Sequence, residues 1–248
     1  MAAAHPVRTS WAVLRRRGGL VVFPLLGAAQ VLLIGSAAAA PVVLNGTDGA
    51  GPGTVAALVA GYLALGFGLT VSTAAMTLAV ADVLDGAPAR YGANLGASIA
   101  GWRRLLGWSL LSSTVLVAAR QLERVPVVGE LLDDVVGVAW SLATYLVLPG
   151  IVLDDLPIRE AARRSGRLLR TTFRRQVFGS LWIALPLGLA VLGGLVAVML
   201  AIESNRPGPA VVTAVLAGLV LAAALLVGAT VSGIFRTVLY REAVAEQA

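Results

Sequence analysis

Six apolar stretches divide the chain, at 20–44, 55–83, 105–119, 135–153, 177–202 and 210–235. Most reach the roughly 20 residues that a helix needs to cross about 30 Å of hydrocarbon. The third reaches that length if its helix begins near Ala97. Arg103 and Arg104 then stand at the interface, where long cationic side chains snorkel to the headgroups. The pattern predicts an all-α fold: a polytopic transmembrane helical bundle of about six spans, at approximately 20–44, 55–83, 97–119, 135–153, 177–202 and 210–235. No connecting segment is long enough to fold alone, so 1–248 reads as a single membrane domain. A cleaved secretory signal is the rival reading of the first stretch, with Ala38, Ala39 and Ala40 before Pro41. Its apolar run is longer than a usual signal core, which favours a span.

Between the fourth and fifth stretches the period changes. Ile158, Ala161, Ala162, Ser165, Leu168, Leu169, Thr172 and Phe173 recur at the i, i+3, i+4 spacing of one helical face. The other face carries Arg159, Glu160, Arg163, Arg164, Arg167, Arg170 and Arg174. Asp154, Asp155 and Pro157 provide capping and dipole signals for a start. These features predict an amphipathic basic helix over 157–176. It is expected in the cytoplasmic interface, its apolar face at the acyl boundary and its guanidinium groups among lipid phosphates. Arg159, Arg163, Arg164, Arg167, Arg170, Arg174 and Arg175 are the candidate contacts to anionic lipid or to an acidic partner.

Charge fixes the expected orientation. Sixteen of the nineteen arginines fall in the amino terminus, the second and fourth connections and the tail. The intervening segments hold Arg120, Arg124 and Arg206, together with Asp48, Glu123, Glu130, Asp133, Asp134 and Glu203. The positive-inside rule therefore assigns both termini to the cytoplasm. Leu14-Arg15-Arg16, Trp102-Arg103-Arg104 and Phe173-Arg174-Arg175 each precede the first helix of a two-span hairpin, as an inward-facing entrance requires. Trp11, Arg15, Arg16, Trp102, Arg103, Arg104 and Phe173 are the expected interfacial anchors.

Composition narrows the function classes. Apolar residues make up 58% of the chain and charged residues 13%, and mean hydropathy is +0.87. A water-soluble domain does not have that balance. Cysteine is absent and His5 is the single histidine, which removes thiolate chemistry, disulfides and histidine-ligated zinc. The net charge of +6 lies between apolar spans rather than on a separable basic module, so nucleic acid is not an expected partner. Every basic residue is arginine, in keeping with a GC-rich bacterial genome. The expected location is a bacterial inner membrane, with anionic headgroups as partners.

Two motifs raise chemistry. Asp82-Val-Leu-Asp85-Gly86-Ala-Pro-Ala89-Arg90 is similar to the first half of the CDP-alcohol phosphotransferase motif, in which paired carboxylates hold divalent metal on a diphosphate. The second half, with the catalytic base, is missing: the next carboxylate is Glu123, one span later. Hydroxyls inside the spans, among them Thr70, Ser72, Thr73, Ser109, Ser112, Thr144 and Tyr145, and the helix breakers Pro149-Gly150 and Pro186 leave small-molecule or lipid transport as the alternative. Such hydroxyls more often bond a preceding turn than line a pore. Small residues at four-residue steps, Ala214-Gly218-Ala222 and Ala224-Gly228-Ser232, allow close packing within the bundle or a homo-oligomer contact.

The run from Pro149 through Asp154-Asp155, Arg159 and Arg163-Arg164 to Phe173-Arg-Arg resembles a signature of uncharacterised bacterial six-helix membrane proteins grouped as a domain of unknown function. Ser10-Trp11-Ala-Val-Leu-Arg-Arg, Leu84-Asp85-Gly86 and Trp102-Arg-Arg-Leu-Leu-Gly-Trp108 agree with it. The Pro149 to Phe173 piece also looks like the membrane domain attached to some glycerophosphodiester phosphodiesterases. The resemblance brings no functional residue with it. The expected function is non-catalytic, without cofactor or metal. It lies in lipid organisation or envelope-complex assembly through the basic helix, with a membrane or cytoplasmic protein as a further partner.

Overall fold

A computed structural model describes residues 4–45, 51–122, 144–203 and 207–247. Among them every regular element is helical: α1 (Ala4–Arg16), one 3₁₀ turn (Gly18–Val21), α2 (Val22–Asn45), α3 (Pro52–Leu84), α4 (Tyr91–Ala100), α5 (Trp102–Leu122), α6 (Val147–Leu153), α7 (Ile158–Glu203) and α8 (Pro207–Ala245). Three stretches are long and apolar enough to cross a bilayer, Gly18–Leu44, Pro52–Leu84 and Val211–Ala245. They mark the chain as a membrane protein.

The other expected spans take different forms. The stretch at 97–119 is divided at Gly101, whose N–H closes α4 on the Ala97 carbonyl at 3.1 Å before α5 begins at Trp102. The fourth span, 135–153, enters the described residues only at 144. The acidic segment from Gln121 to Asp134 falls almost wholly outside them. The basic helix and the fifth span are one element: α7 runs unbroken for 46 residues, about 69 Å at 1.5 Å per residue. A shorter apolar helical stretch, Gly188–Leu200, lies on it.

Two antiparallel hairpins set the framework. In the first, Gly27 of α2 lies against Leu69 of α3, Gln30 against Gly68, and Ala38 against Gly61, so the helices run past each other in opposite directions. In the second, Leu168 of α7 packs with Phe235 and Leu239 of α8, while Gly194 faces Ala217 toward the other end. Glycine at 61 and 68 removes the side chain that would hold the helices apart, the small-residue device of membrane helix pairs.

Burial is strongly polarised along these helices. Val71, Ala74, Ala75, Met76, Ala79 and Val80 of α3 are buried, as are Val231, Ile234, Phe235, Val238 and Leu239 of α8. Val13 of α1, Leu20 and Phe23 join this interior from the amino terminus. Leu105, Trp108, Val147, Leu148, Ile151 and Ala161 add a second cluster from α5, α6 and α7. Toward the other end the same helices show Leu32, Leu33, Val43, Val55, Val59, Leu195, Met199, Val211 and Leu219 on the surface. An exposed apolar surface of that extent needs an apolar solvent. The molecule thus has a packed end, where most of the described arginines lie, and an end whose leucines and valines face outward.

Candidate functional site

The packed end is joined by a ring of carboxylates, each engaged by a residue distant in sequence. Asp82, near the end of α3, accepts a 2.8 Å hydrogen bond from Asn94 of α4. Asp85 follows the last turn of α3 and takes a two-nitrogen grip from Arg241 of α8, one arm at 2.8 Å. Gly86 then turns the chain at φ 77, a left-handed conformation that glycine adopts without steric cost. Beyond α6, Asp154 accepts from Arg164 of α7 at 2.8 Å and from the Tyr240 hydroxyl of α8 at 2.7 Å. Asp155 pairs with Arg104 of α5, which also donates to its carbonyl at 3.2 Å. Asp155 itself holds φ 55, a conformation tolerated best by short polar residues.

The hydrogen bond from Arg241 holds the Asp85 carboxyl below the ordinary carboxylate range, against a small opposing effect of burial. The two carboxylates of the half-motif are both engaged within the protein: Asp82 by Asn94 and Asp85 by Arg241. Among the described residues no group of three or more His, Asp or Glu side chains could hold a metal ion.

The structure divides the predicted cationic residues. Arg159, Arg163 and Arg167 are exposed at steps of four on α7. Among the described residues no carboxylate pairs with them. Arg164 points inward, clasping Asp154 and lying over the Tyr240 ring at 5.8 Å. Arg170, Phe173, Arg174 and Arg175 follow on the same helix, with side chains outside the described set. The face opposite the exposed arginines does not meet an acyl boundary as the sequence led us to expect. Ala161, Ser165 and Leu168 are 1% exposed or less, and Ala161 and Leu168 pack on α6 and α8. Protein covers these three positions, while Ala162 of the same expected face is exposed.

The expected anchors lie on the surface of the packed end. Trp11, Arg15 and Arg16 of α1 are exposed, as are Trp102, Arg103 and Arg104 at the start of α5. Arg103 lies over the Trp102 ring at 5.7 Å, a cation–π pair suited to the headgroup boundary.

One residue gained importance only in three dimensions. Arg236 of α8 is half-buried, with its guanidinium 4.6 Å above the Tyr145 ring. It borders a cavity of about 240 Å³ lined by Thr70, Thr73, Trp108, Ser112, Thr144 and Tyr145. Of the hydroxyls noted in the apolar stretches, Thr70, Thr73, Ser112, Thr144 and Tyr145 border this cavity, whereas Ser72 and Ser109 do not. Thr70 and Thr73 bond the preceding turn, at 2.7 and 2.8 Å, yet both still line the cavity. The available sequence signal was a column of polar or amphipathic residues at steps of four, Ser232, Arg236 and Tyr240, in the latter part of α8.

A family of unknown function, DUF6159, matches residues 54–248. No curated protein and no solved structure matches the chain.

Proposed function

This chain belongs to the DUF6159 family, and we propose that it is a non-catalytic, multi-pass protein of a bacterial inner membrane that binds anionic lipid through its packed, arginine-bearing end. In this reading the six apolar stretches are six spans, and both termini and the packed end face the cytoplasm. The observation that carries the reading is the exposed stripe of Arg159, Arg163 and Arg167 on a helix whose opposite face is locked into the protein core. A helix floating in the interface would roll and settle with the lipid. This one is clamped by Leu168 and by the Arg164–Asp154 pair, so its cations are held at a fixed height and direction. Near an anionic surface each basic residue contributes about 1 kcal/mol. Three such residues bias the protein toward anionic lipid by up to roughly 3 kcal/mol, the scale needed to organise lipid around a bundle or to seat an acidic partner.

The test is competitive reconstitution of the detergent-purified protein into vesicles of phosphatidylglycerol or phosphatidylcholine, scored by flotation. The native protein should favour the anionic vesicles, and rising salt should weaken the preference, because exposed charges are screened within about 10 Å at 0.1 M. The triple variant Arg159→Gln, Arg163→Gln, Arg167→Gln should lose most of it. An equal preference in variant and native protein would show that the stripe is not the lipid contact.

A further inference from the structure

The Arg236 cavity does not stand alone. Arg236 also borders a larger apolar cleft of about 510 Å³ between α2, α3 and α8, walled by Phe23, Val31, Leu225 and Leu226. Leu69, Thr73 and Arg236 border both spaces. A cation therefore stands at the junction of a hydroxyl-lined chamber and an oily one.

Three features give this junction a direction. The cleft opens sideways, since Val31 and Leu225 on its walls are 47% and 49% exposed on the surface that requires an apolar solvent. It extends along α8 from Arg236 back to Ala222, about 21 Å at the helical rise, running from the packed end toward the apolar end. At its polar end the Arg236 Nε is buried without an acceptor, and no carboxylate pairs with Arg236 among the described residues. A guanidinium drawn from water is expensive unless an anion and hydrogen bonds compensate it. The Tyr145 ring supplies part of that compensation. The Tyr145 hydroxyl is directed to the Ser232 carbonyl at 3.4 Å and cannot act as the counter-charge.

We propose that Arg236 and the two spaces it separates form a binding site for one anionic amphiphile, with its acidic headgroup at Arg236 among Thr73 and Ser112 and its acyl chain in the cleft between α2 and α8. The phosphate or carboxylate accepts from the guanidinium and from the Ser112 hydroxyl, while the chain lies in an apolar channel. A free anion would satisfy the arginine but leave the cleft unexplained; a neutral lipid would fill the cleft but leave the charge unmatched. The tail points from the packed end into the apolar zone, the same direction as the lipids of the leaflet that meets the packed end. The site is separate from the exposed stripe on α7 and does not depend on the role assigned to that stripe.

Native mass spectrometry of the full-length protein in a neutral detergent, titrated with phosphatidylglycerol, phosphatidylcholine or inorganic phosphate, tests it. One phosphatidylglycerol should bind at least about tenfold more tightly than phosphatidylcholine, the scale of a charge-assisted hydrogen bond in a shielded site. Inorganic phosphate should bind far more weakly. Arg236→Gln should bring phosphatidylglycerol down to the phosphatidylcholine level, and Ala229→Phe, which narrows the cleft and keeps the cation, should weaken it as well. The triple glutamine variant of the α7 stripe should retain this single tight lipid. Equal affinity for the two lipids in the native protein, inorganic phosphate binding as tightly as the lipid, or full binding by Ala229→Phe would each overturn the site, whether or not Arg236→Gln folds.

Discussion

At the residue scale, the packed end is fastened by charges that reach across the sequence, and each fastening has a different environment. The Asp85–Arg241 pair ties the end of α3 to the end of α8 but is open to solvent, with side chains 59% and 37% exposed. Exposed pairs contribute less than about 1 kcal/mol, so Asp85→Asn should lower the thermal midpoint in detergent by only a few degrees. The sign of its pH dependence follows from the depressed carboxyl. The contribution is fully present above the carboxyl's unfolded value and fades as pH falls through the lower folded one. Native protein should therefore lose a small increment of stability on acidification that Asp85→Asn does not lose. A variant with the same pH profile as the native protein would remove this pair from the account. Asp154 differs in being engaged twice, by Arg164 and by the Tyr240 hydroxyl, with Arg164 itself lying over the Tyr240 ring. Neither arrangement was legible in the sequence. Asp154 and Asp155 stand where helix-start signals belong, and proximity along the chain gave them that role; their partners, Arg164, Tyr240 and Arg104, come from three other helices. Arg236 was counted as one more inward charge of the tail for the same reason: its surroundings come from α3, α5 and the residues before α6.

At the scale of elements, helix α7 shows what periodicity does and does not carry. Of the face expected from the spacing, Ala161, Ser165 and Leu168 are buried, Ile158 is partly buried and Ala162 is exposed, while the side chains of Leu169, Thr172 and Phe173 lie outside the described set. Periodicity says which face avoids water and not what covers it. Here α6 and α8 cover Ala161 and Leu168, and the helix continues into the fifth apolar stretch because no glycine–proline break separates them. Leu168 is 0% exposed. Truncating a fully buried leucine costs about 2–5 kcal/mol, so Leu168→Ala should markedly lower the midpoint of thermal unfolding in detergent. Arg163→Gln on the exposed face should stay within about 0.5 kcal/mol. Comparable losses in the two variants would contradict a packed inner face. The α2–α3 hairpin offers a second test. A side-chain carbon at Gly61 would press on the Ala38 methyl carbon, with the backbone close behind it, and overpacking costs about 1–3 kcal/mol. Gly61→Ala should destabilise the protein, while Gly53→Ala, which meets nothing within 4 Å, should not.

At the scale of the whole molecule, the long apolar helices were the most legible feature, since a run of twenty apolar residues has few alternatives. The polarity of burial along them was not. Composition makes α3 and α8 look apolar throughout, yet one end of each packs against protein and the other presents its leucines and valines outward. The proposed orientation builds on that asymmetry, with the compact arginine-bearing end at one leaflet and the apolar columns in the bilayer. The absence of native cysteine makes the orientation directly measurable. Single cysteines at Gly51, Gly92 and Gly166 have nothing within 4 Å of the new side-chain carbon and can be labelled with a membrane-impermeant maleimide in intact cells. Gly51→Cys, between α2 and α3, should react from outside, and Gly92→Cys and Gly166→Cys only after the membrane is opened. Labelling of Gly166→Cys in intact cells, or protection of Gly51→Cys, would place the arginine-bearing end on the wrong side and contradict the account.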